Sequence, residues 1–254
     1  MKQIPNLFTL LNLVCGCLAI LFTLQTGQAI VYLQEMGFSS VELPERMALG
    51  AFFILAAGVI DFLDGFLARL MKAGSEMGKQ LDSLSDVVSF GVAPGLILFQ
   101  LLRLSFAQET DGLDVSILWL MPAFLIPVAA AWRLARFNID PAQQVRFKGL
   151  PVPAAGITIA AFPLIMHYQT LGLQAIFINK YLLYGSILLL SFLMVSKLPM
   201  MALKFSGFAP AANWPKYFLV VIGILAAIFL KWLAIPVVLV VYILLSLFLK
   251  NKTA

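Results

Sequence analysis

The feature that most constrains this chain is a succession of long apolar runs, each near the roughly 20 residues that a helix needs to cross a bilayer. Of the 254 residues, 62% are hydrophobic and 11% are charged, whereas a soluble domain has about 25% charged residues. The sequence therefore predicts an all-α polytopic membrane protein without a soluble domain. It predicts about eight transmembrane helices, near residues 5–26, 47–71, 80–102, 116–138, 152–171, 178–196, 216–232 and 234–250.

The basic residues predict the orientation of these helices. If the chain starts inside, thirteen of the 17 Lys and Arg residues fall in cytoplasmic segments, and only Arg46, Arg103, Lys180 and Lys231 fall outside. This asymmetry satisfies the positive-inside rule and places both termini in the cytoplasm. The net charge of +5 comes from residues that flank membrane spans. Anionic lipid headgroups and phosphates are therefore the expected partners, and nucleic acid is not.

The acidic residues are distributed unevenly. Eight of the twelve fall in predicted loops, but Asp61 and Asp64 lie in the second predicted span and Asp82 and Asp86 in the third. Each aspartate within a membrane costs about 2.5 to 3.5 kcal/mol. Four such residues therefore require an interaction that offsets this cost, and the kind of interaction indicates the function.

The spacing of the four aspartates predicts a metal centre. Residues 61 and 64 are three apart and residues 82 and 86 are four apart, so each pair shares one helix face. A short linker between the two helices lets all four carboxylates converge. Oxygen-only ligands favour Mg²⁺ or Mn²⁺, and four carboxylates suit two divalent cations. The alternative is a set of protonated or salt-bridged aspartates that only hold helices together. The nearby Arg69 and three glycines disfavour it.

Residues 61–86 read DFLDGFLARLMKAGSEMGKQLDSLSD. This stretch resembles the signature of the CDP-alcohol phosphotransferase family, D-x2-D-G-x2-A-R-x8-G-x3-D-x3-D, with all eight fixed positions in register. The resemblance implies that Asp61, Asp64 and Asp82 hold one metal and that Asp61, Asp82 and Asp86 hold the other. It also implies that Asp86 accepts the proton of the attacking hydroxyl.

Other residues are candidates for binding the CDP-activated lipid. Gly65 and Ala68 leave no bulk beside the acids, so that a flat nucleotide can approach, although small residues also serve ordinary helix packing. Arg69 can pair with a diphosphate or can instead be an interfacial residue. By resemblance, Asn6 and Thr9 contact the lipid headgroup, with helix capping as the alternative. The predicted CDP-lipid-binding residues are Asn6, Thr9, Gly65, Ala68, Arg69 and Gly78.

The acceptor alcohol is indicated by further stretches: IPNLFTLLN near the N-terminus, VSFGVAPG after Asp86, WRLARFN at 132–138 and FKGLPVPAAG at 147–156. These resemble the membrane-integral phosphatidylserine synthases. Serine carries a carboxylate, and three cations on the cytoplasmic side can face it, although positive-inside anchoring also explains them. The predicted serine-binding residues are Arg133, Arg136, Asn138 and Lys148. Ser89 and Phe90 are expected to shape the pocket.

The resemblance implies transfer of a phosphatidyl group from CDP-diacylglycerol to L-serine, giving phosphatidylserine and CMP. The same chemistry with glycerol 3-phosphate or inositol phosphate is the first alternative, and a cation transporter is the second. The one histidine, His167, falls on the opposite side of the membrane from the acids. A histidine-based mechanism is therefore not expected.

The expected organisation is a six-helix catalytic bundle, residues 1–196, followed by two additional transmembrane helices in residues 197–254. We expect a homodimer in the plasma membrane of a bacterium or archaeon, with the active site facing the cytoplasm. The segment from Thr26 to Arg46 is expected to be an amphipathic loop on the outer side.

Overall fold

The architecture was analysed in a computed structural model, which describes residues 4–25, 28–34, 37–43, 46–71, 75–109, 115–140, 148–201 and 210–249. The helices and strands, in chain order, are α1 (Ile4–Leu24), β1 (Gln28–Gln34), β2 (Gly37–Leu43), α2 (Met47–Leu70), α3 (Glu76–Asp86), α4 (Ala93–Phe106), α5 (Leu125–Ile139), α6 (Val152–His167), α7 (Gln174–Phe177), α8 (Lys180–Val195), α9 (Pro210–Leu230) and α10 (Ala234–Leu249).

The predicted helical membrane class is confirmed, whereas the number of eight transmembrane helices remains a prediction. Four helical segments are long and apolar enough to cross a membrane: Pro5–Leu24, Met47–Leu70, Glu76–Phe106 and Asn213–Phe248. Two apolar helices, Val152–His167 and Lys180–Val195, are shorter. The last long segment is divided by a 3₁₀ turn at Lys231–Leu233, and α9 packs against α10 on either side of it. The chain is thus a helical membrane protein, as predicted.

One local difference lies in the segment expected to be an outer loop. Strands β1 and β2 pair antiparallel there, with Gln28 opposite Leu43 and Gln34 opposite Gly37. Because paired strands satisfy each other's backbone hydrogen-bonding groups, a segment between two spans can form such a pair instead of an irregular loop. Apart from this hairpin and an isolated bridge between Lys148 and Pro199, the described residues are helices, turns and connections.

The third long helix changes its winding immediately after the last aspartate. Residues Val87–Val92 form a π-helical segment between α3 and α4, here called the π segment. Helix α3 itself is capped by Ser75, whose hydroxyl accepts a hydrogen bond from the Gly78 amide. Single π turns within longer helices are frequent at functional sites because the extra residue re-aims the side chains beside it.

The π segment is the point where most of the bundle meets. It packs against α1, α5 and α6, and Phe90 within it is fully buried. Two glycines allow this approach: a Cβ on Gly156 of α6 would lie 2.8 Å from the Phe90 Cα, and one on Gly16 of α1 would lie 2.9 Å from the Ser89 Cα. Small residues let membrane helices come this close, so Asp86 is held on a rigid support.

Helix α1 positions the two acid-bearing helices. It packs along α2 on one side and against α3, the π segment and α4 on the other. Helix α6 packs behind α2 and α4, and α5 pairs with α8. Large apolar side chains such as Val59, Phe62 and Phe66 remain exposed on α2, as expected of a surface that faces lipid rather than water.

Candidate active site

Three of the four predicted aspartates form a tight cluster. Asp61 and Asp64 come from the last three turns of α2 and Asp82 from α3, and one carboxylate oxygen of each lies within 4.8 Å of the others. The two predicted acid pairs, one on α2 and one on α3, therefore do come together at this cluster. Like charges this close repel strongly, so the arrangement is stable only with a compensating positive charge or protons.

Helix α1 contributes to the same cluster. The Thr9 hydroxyl lies 2.9 Å from Asp64 Oδ2 and 3.1 Å from the Pro5 carbonyl oxygen. Ser85 donates a hydrogen bond to the Thr9 carbonyl at 3.0 Å, and Ser89 donates one to the Asn12 carbonyl at 3.0 Å. These hydroxyl contacts join α1 to the acid-bearing helix, which fixes the distance between the two sides of the cluster.

The fourth aspartate, Asp86, lies one turn deeper. Its side chain is 6% exposed, and it interacts electrostatically with Asp61, Asp82 and Asp64. Asn12 donates a hydrogen bond to Asp86 Oδ1 at 3.4 Å. The four carboxylates thus form one group, in which three face a cavity and the fourth lies behind them.

The cavity in front of the cluster has a volume of about 600 Å³. It is formed by the start of α1, the end of α2 and the start of α3, and it is lined by Pro5, Asn6, Thr9, Asp61, Phe62, Asp64, Gly65, Ala68, Arg69, Ser75, Gly78, Lys79 and Asp82. All six residues predicted to bind a CDP-lipid line this cavity, together with three of the aspartates.

The two glycines of the motif have different surroundings. A Cβ on Gly65 would meet no atom within 4 Å, so this position is open toward the cavity. A Cβ on Gly78 would lie 2.8 Å from Asn6 Oδ1. Gly78 therefore makes room for the Asn6 side chain, and any larger residue at position 78 would displace Asn6.

Two cations line the cavity. Arg69 is exposed, and its Nε donates a hydrogen bond to the Gly65 carbonyl at 2.8 Å. Lys79 was not among the predicted site residues. Its Nζ donates a hydrogen bond to the Asn138 carbonyl at 3.1 Å, which links the cavity wall to the end of α5.

None of the four predicted serine-binding residues lines the cavity. Arg133 is 8% exposed, and its Nε has no hydrogen-bond partner among the described residues. Its guanidinium interacts electrostatically with Asp86 and with Tyr242 of α10. A buried charge without full hydrogen bonding is expensive, so this group is placed for a ligand or a charged partner.

The other three residues of this group hold the end of α5 and the following segment. Arg136 Nη1 donates to the Val195 carbonyl at 3.3 Å, and Asn138 Nδ2 donates to Ser83 Oγ at 2.8 Å. Lys148 pairs through its backbone with Pro199. These contacts tie α5 to α3 and α8, next to the buried Arg133.

Three residues near the site were missed in the sequence. Asn12 continues the three-residue spacing of Asn6 and Thr9 along α1, a signal that was present in the sequence. Tyr242 is part of a uniformly apolar helix, and Lys79 lies between fixed positions of the motif. Neither of these two carries a sequence signal. Ser89 and Phe90, which were expected to shape the pocket, instead pack the π segment against α1 and α6.

The donor set fits hard divalent cations. All candidate ligand atoms are carboxylate oxygens, and one oxygen from each of three aspartates lies within the 4.8 Å that one ion or a pair of ions can bridge. Such ligands suit Mg²⁺ or Mn²⁺. His167 is exposed at the end of α6 and packs edge-on against Tyr168. It is not part of this donor set.

Comparison with known proteins agrees with this site. A family model described as CDP-alcohol phosphatidyltransferase matches residues 2–191. The CDP-diacylglycerol–serine O-phosphatidyltransferase of Bacillus subtilis is 30% identical over 185 residues, 71% of this chain and 89% of the relative. That of Helicobacter pylori strain J99 is 29% identical over 232 residues, 89% of this chain and 81% of the relative. An archaetidylserine synthase of Methanothermobacter thermautotrophicus is 30% identical over 179 residues, 69% of this chain and 64% of the relative.

The matched residues include the entire acid cluster, the cavity and Arg133. The chain is therefore a membrane enzyme that belongs to the CDP-alcohol phosphatidyltransferase family.

Proposed function

We propose that this enzyme transfers the phosphatidyl group of CDP-diacylglycerol to L-serine, giving phosphatidylserine and CMP. The observation that carries the proposal is the buried Arg133, whose Nε has no hydrogen-bond partner among the described residues and whose helix α5 packs against the π segment that follows Asp86. A cavity with carboxylates and cations suits a metal-bound diphosphate, and a buried guanidinium suits the carboxylate of an amino acid. The names of the relatives support the same acceptor.

The donor would occupy the cavity. Open space at Gly65 and the small side chain of Ala68 leave room for the nucleotide, and Arg69 and Lys79 supply positive charge for the diphosphate. Asn6 and Thr9, on α1, would contact the lipid headgroup. Because the cavity lies between the ends of membrane helices, the acyl chains can remain in lipid while the cytidine enters from water.

The aspartates would hold two divalent cations, Mg²⁺ or Mn²⁺. Asp61, Asp64 and Asp82 would bind one, and Asp61, Asp82 and Asp86 the other. When bound, the cations would neutralise the phosphate oxygens and the departing CMP. Helix α1 positions these carboxylates: Thr9 holds Asp64, and Asn12 orients Asp86.

The acceptor would enter between Asp86 and Arg133. Arg133 would bind the serine carboxylate, with Arg136, Asn138 and Lys148 around it. Asp86 would take the proton of the serine hydroxyl while that oxygen bonds to the lipid-bearing phosphorus. The bond from this phosphorus to the oxygen of CMP then breaks, and CMP leaves with the electron pair. Because both reactants are held in place, the rate gain comes from positioning and charge neutralisation.

We also propose the topology that the basic residues predict: eight spans, both termini in the cytoplasm and the cavity facing the cytoplasm of a bacterial or archaeal plasma membrane. Lys79 and Arg69 at the cavity support this side, since cations favour the cytoplasmic end of membrane helices. Residues 1–196 would be the catalytic bundle, and the working unit would be a homodimer.

The test is release of CMP from CDP-diacylglycerol by the detergent-purified protein. L-serine, glycerol 3-phosphate and inositol phosphate are compared, each with Mn²⁺, Mg²⁺ or EDTA. We expect metal-dependent release with L-serine alone. Release with another alcohol would overturn the serine assignment and keep the metal chemistry. Cation flux in proteoliposomes without any CMP release would favour a transporter.

A further inference from the structure

Helices α9 and α10 lie beyond residue 191, where the family match ends, yet α10 reaches the acceptor side of the site. Tyr242 is 5% exposed and interacts electrostatically with Arg133, and Arg133 interacts in turn with Asp86. Both side chains are buried, so α10 lies on the side of the bundle that carries Arg133.

Helix α10 also holds the segment that follows α8, residues 196–201, here called the connector. The Tyr242 hydroxyl donates to the Met201 carbonyl at 3.0 Å, and the Met201 amide donates to Ser246 Oγ at 3.1 Å. Ser246 completes the set by donating to the Tyr242 carbonyl at 2.8 Å. Both backbone polar groups of Met201 are thus bound by side chains of α10.

The connector in turn holds the predicted serine-binding segment. The Gly149 amide donates to the Leu198 carbonyl at 2.8 Å, and the Leu150 amide donates to the Leu193 carbonyl at 2.9 Å. Gly149 has a positive φ of 77°, and a Cβ there would lie 2.5 Å from the Met194 carbonyl oxygen. The segment around Lys148 is therefore fitted closely against the end of α8.

We propose that α10 is a working part of the acceptor site, in which Tyr242 and Ser246 are positioning residues that fix the segment that carries Lys148. The inference rests on the proposed binding of serine by Arg133 and deepens it. It assigns a role to a helix that the motif does not include. Tyr242 and Ser246 would act through the Lys148 segment, without touching the substrate.

The experiment measures kcat and the KM values for serine and for CDP-diacylglycerol with the purified full chain. Tyr242→Phe removes the hydroxyl and keeps the ring, and Ser246→Ala removes the other contact. We expect the serine KM to rise about fivefold in each variant, as the loss of a positioning hydrogen bond implies. The KM for CDP-diacylglycerol should stay within about twofold of its original value.

The matched control is Tyr184→Phe. The Tyr184 hydroxyl also donates to a backbone carbonyl, that of Trp119, at 2.6 Å, but at the opposite end of α8. A purely structural role for Tyr242 would give the same result in both tyrosine variants. An unchanged serine KM in Tyr242→Phe and Ser246→Ala, or an equal rise in Tyr184→Phe, overturns the inference.

A third variant, Arg133→Lys, separates this inference from the proposed function. If Arg133→Lys raises the serine KM and Tyr242→Phe does not, only the role of α10 is overturned. If Arg133→Lys leaves the serine KM unchanged, the acceptor site and the inference are both wrong.

Discussion

At the scale of single residues, Asp86 is where the two sides of the site meet. It interacts electrostatically with the three aspartates that line or approach the cavity and with Arg133 behind them. Since it is nearly inaccessible, a substrate hydroxyl can reach it only from inside the bundle. This position suits a proton acceptor that must be kept away from bulk water.

The first prediction concerns this residue. Asp86→Asn removes the proton acceptor but keeps the size and a hydrogen-bonding group, so CMP release should fall by about 1,000-fold or more. Binding of CDP-diacylglycerol, measured by isothermal titration calorimetry, should persist. Glu109→Gln, a matched neutralisation beyond the far end of α4, should keep its activity. An Asp86→Asn enzyme with substantial turnover would disprove the base assignment.

Asn12 gives the second prediction. It is fully buried and donates to Asp86 from α1, so Asn12→Ala should lower kcat about tenfold by releasing the carboxylate. The KM for CDP-diacylglycerol should change little. Thr23→Ala is the control, because Thr23 is an equally buried polar residue of α1 whose hydroxyl has no partner among the described residues. Equal losses in both variants would show that Asn12 has only a packing role.

The sequence predicted that the aspartates cluster, but it did not predict how deeply Arg133 is buried. The helical spacing of residues 61, 64, 82 and 86 follows from 3.6 residues per turn, so the clustering of three of them could be predicted from local rules. The burial of Arg133 on α5 accompanies the packing of α5 against α8 and the π segment. No local pattern encodes packing with a helix that lies some fifty residues later in the chain, and positive-inside anchoring also explained the arginine.

At the scale of elements, the π segment connects the chemistry to the packing. It follows Asp86 directly and is pressed between α1, α5 and α6. The apolar runs predicted helices that the structure contains, although the run expected at 116–138 is a helix only from Leu125 to Ile139 and follows two 3₁₀ turns. The π turn was not predictable, because VVSFGV contains nothing that distinguishes it from an ordinary apolar helix. Its winding is set by the neighbours that it must pack against.

The third prediction tests that support. Gly156→Ala would place a Cβ 2.8 Å from the Phe90 Cα, so the π segment must move or the bundle must loosen. We expect a loss of about 1 to 3 kcal/mol in stability, seen as a lower thermal midpoint, together with reduced CMP release. Gly185→Ala on α8 is the control, since a Cβ there meets nothing within 4 Å. Full activity and stability in Gly156→Ala would show that the π segment can be displaced freely.

At the scale of the whole molecule, four carboxylates are held inside a bundle that is otherwise apolar. Their mutual repulsion and burial oppose folding when no cation is present. A ligand that binds the folded state alone stabilises it by about 2.7 kcal/mol at a concentration 100 times its Kd. The proposed cations should therefore act on the stability of the entire protein as well as on its reaction.

The fourth prediction follows from this linkage. Saturating Mn²⁺ or Mg²⁺ should raise the thermal midpoint of the purified protein by about 5 to 10 °C relative to EDTA, from the usual relation between free energy and midpoint at this size. The double variant Asp61→Asn/Asp82→Asn should be more stable than the original protein in EDTA, because it removes two of the repelling charges, and it should lose the response to metal. Glu109→Gln again serves as the matched control and should keep the full metal-induced rise. Equal rises in the double variant and in the original protein would mean that the cations bind elsewhere, and the acid cluster would then have to be balanced by protons alone.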